Sequence, residues 1–157
     1  MNPDPIDVAA LTERLGRPPQ ADFQVVVRDA TGAPVVVRNA PFTRDGTPMP
    51  TRFWLADPEL NVEISRLEAA GGVRAAQAAV DAGALRAAHD AYAAERDAAI
   101  APGHVGPRPS GGVGGTRQGV KCLHAHYANL LAGADDPVGR WTEQQLALAR
   151  STAGARV

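Results

Sequence analysis

Phe23-Gln24-Val25-Val26-Val27-Arg28, Asp29-Ala30-Thr31-Gly32 and Pro34-Val35-Val36-Val37-Arg38 are the consecutive pieces whose reading decides the fold. Two β-branched runs flank a turn whose glycine tolerates positive φ, which is a hairpin signal. The valines do not alternate with polar residues, so both faces of the hairpin are expected to be covered. Residues 52–56, Arg-Phe-Trp-Leu-Ala, read as a short aromatic third strand. Between them, residues 40–51 carry Pro41, Asp45-Gly46, Pro48 and Pro50, which predicts an ordered but irregular loop.

Helices are expected on either side of this sheet. Asp4-Pro5 ahead of Ile6, Val8, Leu11 and Leu15 predicts a short capped helix that Gly16 ends, followed by a stiff Arg17-Pro18-Pro19 linker. Asp57-Pro58-Glu59 starts another, with Leu60, Ile64 and Leu67 as its buried stripe and Gly71-Gly72 as its stop. The alanine-rich segments 73–80 and 84–100 favour helix and break near Gly83, with Leu85, Ala88, Tyr92 and the stem of Glu95 on one side. His89, Asp90, Arg96 and Asp97 read as solvated surface. Residues 102–119 have no periodicity, and a loop of that length is functional or disordered. Residues 120–132 return to helix, Asp135-Asp136-Pro137 forms a break, residues 138–149 make a last helix, and residues 151–157 fray. The expectation is a single α+β domain over residues 1–157: a small antiparallel sheet packed against several helices, with a helix-rich C-terminal two thirds.

Composition narrows the function classes. Sixteen basic and 17 acidic residues leave a formal charge of -1, which gives no electrostatic case for nucleic acid. A single cysteine excludes an internal disulfide. The N-terminus lacks the basic start and apolar run of a signal peptide, and no apolar stretch approaches the roughly 20 residues of a membrane span. A cytoplasmic protein without membrane insertion is expected.

Reactive groups concentrate in one run, Gly111-Gly112-Val113-Gly114-Gly115-Thr116-Arg117-Gln118-Gly119-Val120-Lys121-Cys122-Leu123-His124-Ala125-His126-Tyr127. On a helix, Cys122, His126 and Asn129 share a stripe beside the core stripe of Leu123, Tyr127, Leu130 and Leu131. If the helix starts at about Cys122, His124 joins the cysteine instead. Thiolate and imidazole are preferred zinc ligands, so one reading is a metal site completed from elsewhere, with Asp29 and Asp57 as candidates. A second is Cys–His nucleophilic catalysis with Asn129 as orienting group. A third is a buried apolar cysteine beside ordinary hydrogen-bonding histidines. The glycines ahead of a helix resemble an anion-binding nest built from Gly112, Gly114, Gly115 and Thr116, with Arg108, Arg117 and Lys121 as surrounding cations. A phosphate- or carboxylate-bearing small molecule is the ligand class that such a nest takes. The run lacks the Gly-Lys-Ser/Thr ending of a phosphate-binding P-loop.

Asp45-Gly46-Thr47-Pro48, Pro50-Thr51, Phe53-Trp54-Leu55, Pro58, Leu60, Leu67-Glu68 and Val120-Lys121-Cys122-Leu123-His124 together resemble an actinobacterial family, domain of unknown function 501. The resemblance runs from about Phe23 to Gly139; residues 1–19 and 140–157 flank a family core of 20–139. It implies a small cytoplasmic protein, regulatory and linked by gene neighbourhood to cell division or polyphosphate metabolism. Relatives carry cysteines where this chain has Asp29, Thr31 and Asp57, and a Cys-to-Asp exchange is one that zinc tolerates. The resemblance therefore implies a zinc site joining Asp29, Asp57, Cys122 and His124, with His126 as an alternate ligand. Competing expectations are a metal- or cysteine-dependent hydrolase and a helical adaptor with no small-molecule site.

Overall fold

The computed structural model describes residues 2–154. Strands β1 (Ala21–Arg28), β2 (Pro34–Thr43) and β3 (Phe53–Leu55) form one antiparallel sheet in the order β1-β2-β3. Six helices complete the α+β fold: α1 (Pro5–Leu15), α2 (Pro58–Ala69), α3 (Gly72–Ala79), α4 (Ala82–Asp97), α5 (Leu123–Leu131) and α6 (Pro137–Gly154).

The hairpin is covered on both sides, as its valine runs require. Val36 joins Phe53, Leu55, Tyr92, Leu123 and Val138 in the larger core. Val37, facing the other way, packs with Leu11, Phe23 and Ala56 beneath α1. Strand β2 is longer than expected and runs through Pro41 into the stretch read as loop. The register shifts between Ala21↔Thr43 and Phe23↔Asn39, so β2 has extra residues there and Pro41 needs no ladder partner for its missing N–H.

Three helices begin on the same dipeptide. Asp4, Asp57 and Asp136 each accept backbone N–H bonds of the first turn, and Pro5, Pro58 and Pro137 occupy the first helical position. The Asp136-Pro137 break is thus the start of α6, which continues through Ser151 to Gly154 instead of fraying there; residues 155–157 lie outside the described residues. Helix α4 starts at Ala82 under an Asp81 cap, so the break expected at Gly83 falls just ahead of it.

Helix α4 differs most from its sequence reading. Besides Leu85, Ala88 and Tyr92 it buries His89 and Arg96, the latter 1% exposed. Arg96 donates to the carbonyls of Gly111 at 2.8 Å, Pro50 at 3.3 Å, and Ser110 and Pro109 at 3.4 Å. His89 accepts the Val113 N–H at Nδ1, 3.0 Å away, so its Nε2–H donates to the Gly119 carbonyl at 2.9 Å. Tyr92 Oη accepts the N–H groups of Arg52 at 2.6 Å and Phe53 at 3.2 Å. One helix face thereby satisfies the start of β3 and the irregular segment 109–119.

Replacing Tyr92 with phenylalanine leaves two buried N–H groups without an acceptor. Tyr92→Phe is expected to lower stability by about 1–3 kcal/mol, read as a drop in the urea midpoint at unchanged m-value. An unchanged midpoint contradicts the assigned role.

Candidate metal centre

Helix α5 starts at Leu123, with Cys122 extended as its N-cap at φ -154°. That start decides which histidine meets the cysteine. His124, in the first turn, turns back so that its Nδ1 lies 3.6 Å from Cys122 Sγ and 2.6 Å from Glu68 Oε1. Its Nε2 lies 3.1 Å from the Asn61 carbonyl and 3.3 Å from Ser65 Oγ. Asn61, Ser65 and Glu68 follow each other at helical spacing on α2, so one polar stripe holds both edges of the ring. Among the described residues, Glu68, Cys122 and His124 form the one group of three potential metal-binding side chains, with ligand atoms all within 4.8 Å of one another. All three are half-buried, which leaves the group reachable from solvent.

The five expected ligands separate into three places. Cys122 and His124 come together. Asp29 and Asp57 also approach each other, but around Arg14: its guanidinium is 3.0 Å from Asp29 Oδ2 and 3.8 Å from Asp57 Oδ2, and it donates to the Pro34 carbonyl at 2.9 Å. Both carboxylates have local work there. Asp29 Oδ1 accepts from Thr31 N and Oγ1 and from Ala33 N inside the hairpin turn, and those bonds, led by the Thr31 hydroxyl, hold its pKa down at about 2. Asp57 caps α2 at the end opposite Glu68, eleven residues away, which is roughly 16 Å of helix. The thiol thus meets the C-terminal end of α2, not its N-cap.

His126 is not an alternate ligand of this group. It points into the core, 0% exposed, with Nδ1 2.9 Å from both oxygens of the equally buried Asp136. Asn129 Nδ2 and the Gly139 N–H also donate to that carboxylate. Burial pushes the Asp136 pKa up, but the His126, Asn129 and Gly139 donors outweigh it and hold the group below the ordinary carboxylate range.

The glycine-rich run does not form the expected nest. Its only helical piece is a single 3-10 turn, Val113–Gly115, and seven residues separate that turn from α5. Gly112 donates to the Thr116 carbonyl, Gly115 to the Gly112 carbonyl and Val113 to His89, while the carbonyls of residues 109–111 face Arg96. These glycines are there for close approach: a Cβ on Gly112 would lie 2.6 Å from His89 Cβ and Nδ1, and one on Gly111 2.5 Å from the Gly115 carbonyl oxygen. Gly114 has φ +71° beside Lys121, and Thr116 Oγ1 donates within its own turn to Gln118 O. Arg108, Arg117 and Lys121 stay exposed.

Glu68, His89, Arg96 and Asp136 were missed from the sequence as functional or buried groups. Spacing carried a signal for two of them, since His89 and Arg96 each lie four residues after a core residue, Leu85 and Tyr92. Glu68 belongs to the Leu67-Glu68 pair within the family resemblance, but nothing local pairs it with position 124.

No helix of the described residues is long and apolar enough to cross a membrane. A family model described as Protein of unknown function (DUF501) matches residues 25–144, well over half of the chain. No curated protein and no solved structure matches it.

The protonation of His124 is set by the same neighbours. The Cys122 sulfur, then the Asn61 carbonyl and the Glu68 carboxylate, raise its pKa to about 8 against the opposing effect of burial. Because the folded value exceeds the ordinary 6.5, this stabilisation is fully present below about pH 6.5 and is lost as pH rises through about 8. At a ring about a quarter exposed the effect is on the order of 1 kcal/mol after solvent screening. With a chelator present, the urea midpoint is expected to fall between pH 6.5 and 8.5, and His124→Gln to flatten that decline. An equal decline in the variant contradicts the assignment.

Proposed function

The chain belongs to the family Protein of unknown function (DUF501), and we propose that it is a metal-binding protein whose ion, of the zinc type, is held by Glu68, Cys122 and His124. The observation that carries this reading is the convergence of three different zinc donor types on one point: a thiol, an imidazole nitrogen and a carboxylate oxygen. The surroundings of the imidazole support it. The Asn61 carbonyl takes the Nε2–H of His124, so Nδ1, which shares its proton with Glu68 in the metal-free protein, is the nitrogen that would give up that proton to an ion. Three protein ligands with one side open to solvent match the layout in which zinc keeps a position for water or substrate. Asp29 and Asp57 have no part in this site. The regulatory link to cell division or polyphosphate metabolism rests on the family resemblance alone.

The 3.6 Å contact between Cys122 Sγ and His124 Nδ1 favours one other reading, a hydrolase in which the imidazole activates the thiol as nucleophile. In that case turnover survives chelation and is lost in Cys122→Ser.

Purified protein dialysed against zinc is expected to retain about one ion per chain by elemental analysis. Cys122→Ala, His124→Ala and Glu68→Gln are each expected to weaken retention at least tenfold, while Asp29→Asn and His126→Gln retain it if folded. No stoichiometric zinc in the wild type removes the proposal. Cobalt substitution adds a readout independent of stability: a thiolate-to-cobalt charge-transfer band present in the wild type and absent in Cys122→Ala.

A further inference from the structure

A cavity of about 210 Å³ opens between the α3–α4 corner and residues 117–119. Arg86 of α4 and Arg117 of the segment line it, with Gln77 and Gln118; Leu85 and His89 lie along its α4 wall. Among the described residues neither arginine is paired with a carboxylate or hydrogen-bonded to the protein, which also holds for Arg17, Arg66, Arg74 and Arg108, while Arg14, Arg28, Arg38, Arg44, Arg52, Arg96, Arg140 and Arg150 each have an acidic partner. Arg86 and Arg117 differ from the other unpaired arginines in lining one cavity together. No acidic side chain lines the cavity.

The remaining polar groups are donors or are already oriented. Gln77 Oε1 accepts the Val120 N–H at 2.9 Å, so the amide's free valence is its NH₂ group. His89 has both nitrogens engaged, by Val113 and Gly119, and burial holds its pKa below the ordinary value, so it adds neither a charge nor a competing acceptor. Two guanidinium groups and an amide NH₂ are donors that match a tetrahedral dianion.

We propose that this cavity binds a phosphate group, free or as the terminal phosphate of a small monoester, between Arg86 and Arg117. The site is separate from Glu68, Cys122 and His124 and stands whether or not a metal binds there. It also relocates the anion-binding function expected of the glycine run: Arg117 lines this cavity, but Gly112, Gly114, Gly115 and Thr116 do not.

Titration calorimetry at constant ionic strength, with inorganic phosphate and with glycerol phosphate as probes, tests this. Saturable binding of at least one probe at about 1 mM or tighter is expected. Arg86→Gln and Arg117→Gln are each expected to weaken it at least tenfold, with thermal midpoints unchanged because both side chains are exposed. Arg74→Gln, an exposed arginine on α3 outside the cavity, is expected to bind as the wild type does. A preference for glycerol phosphate over inorganic phosphate identifies a monoester as the ligand; the reverse identifies the free ion. Equal losses in all three variants, wild-type binding in Arg86→Gln and Arg117→Gln, or no saturable binding up to about 10 mM would overturn the proposal.

Discussion

The backbone of an irregular segment that passes through the interior must have its polar groups satisfied, and here one helix supplies most of what is needed. Residues 109–119 have no ladder of their own. Arg96 takes three of their carbonyls along with that of Pro50, and His89 takes one N–H at Val113 and one carbonyl at Gly119. A buried guanidinium suits this role because it offers five donors in a fixed plane and its charge is stabilised by several carbonyl dipoles at once. Its adjacent partner Asp97 lies outside, 2.9 Å from Nε. With both ends of the segment held on α4, residues 120–122 leave it in a defined direction, and Cys122 reaches the end of α2.

Charge is distributed in this molecule according to the same rule: a buried or half-buried ion is matched locally. Arg14 joins the hairpin turn to the start of α2 through Asp29, Asp57 and the Pro34 carbonyl. Arg52 joins β3 to β2 through the Asn39 carbonyl and to α4 through both oxygens of Glu95. Asp136 joins α5 to α6 while capping the latter. These pairs position elements and leave few open valences for chemistry. Against that background the Glu68–Cys122–His124 group adds a thiol to an ion pair at a half-buried spot, and the Arg86–Arg117 cavity holds two guanidinium groups with no carboxylate beside them.

The close packing of α5 against α6 explains why His126 could not serve the cysteine. Gly139 lies so near α5 that a Cβ there would be 2.6 Å from Leu130 Cβ and 2.7 Å from the His126 carbonyl oxygen. The His126 face is therefore the interhelical face, where the ring meets Asp136 through Nδ1 and the edge of His89, whose centroid is 5.6 Å away. The first turn of α5 faces α2 instead, and that leaves His124 as the imidazole beside the thiol.

Local patterns determined the elements themselves. The valine runs around Asp29-Ala30-Thr31-Gly32, the Asp-Pro pairs at residues 4, 57 and 136, and the apolar stripe of Leu60, Ile64 and Leu67 each act over a few residues, through turn geometry, capping and burial period. Cys122 with His124 was also legible, since both lie in one run and only the start of α5 had to be known. Glu68 as third member, the diversion of Asp29 and Asp57 to Arg14, and the backbone partners that His89 and Arg96 find in segment 109–119 were decided by tertiary structure alone. Each of those depends on which distant backbone groups lack partners once the chain is folded, and a carboxylate or guanidinium goes to whichever unmet partner is nearest in space, not in sequence.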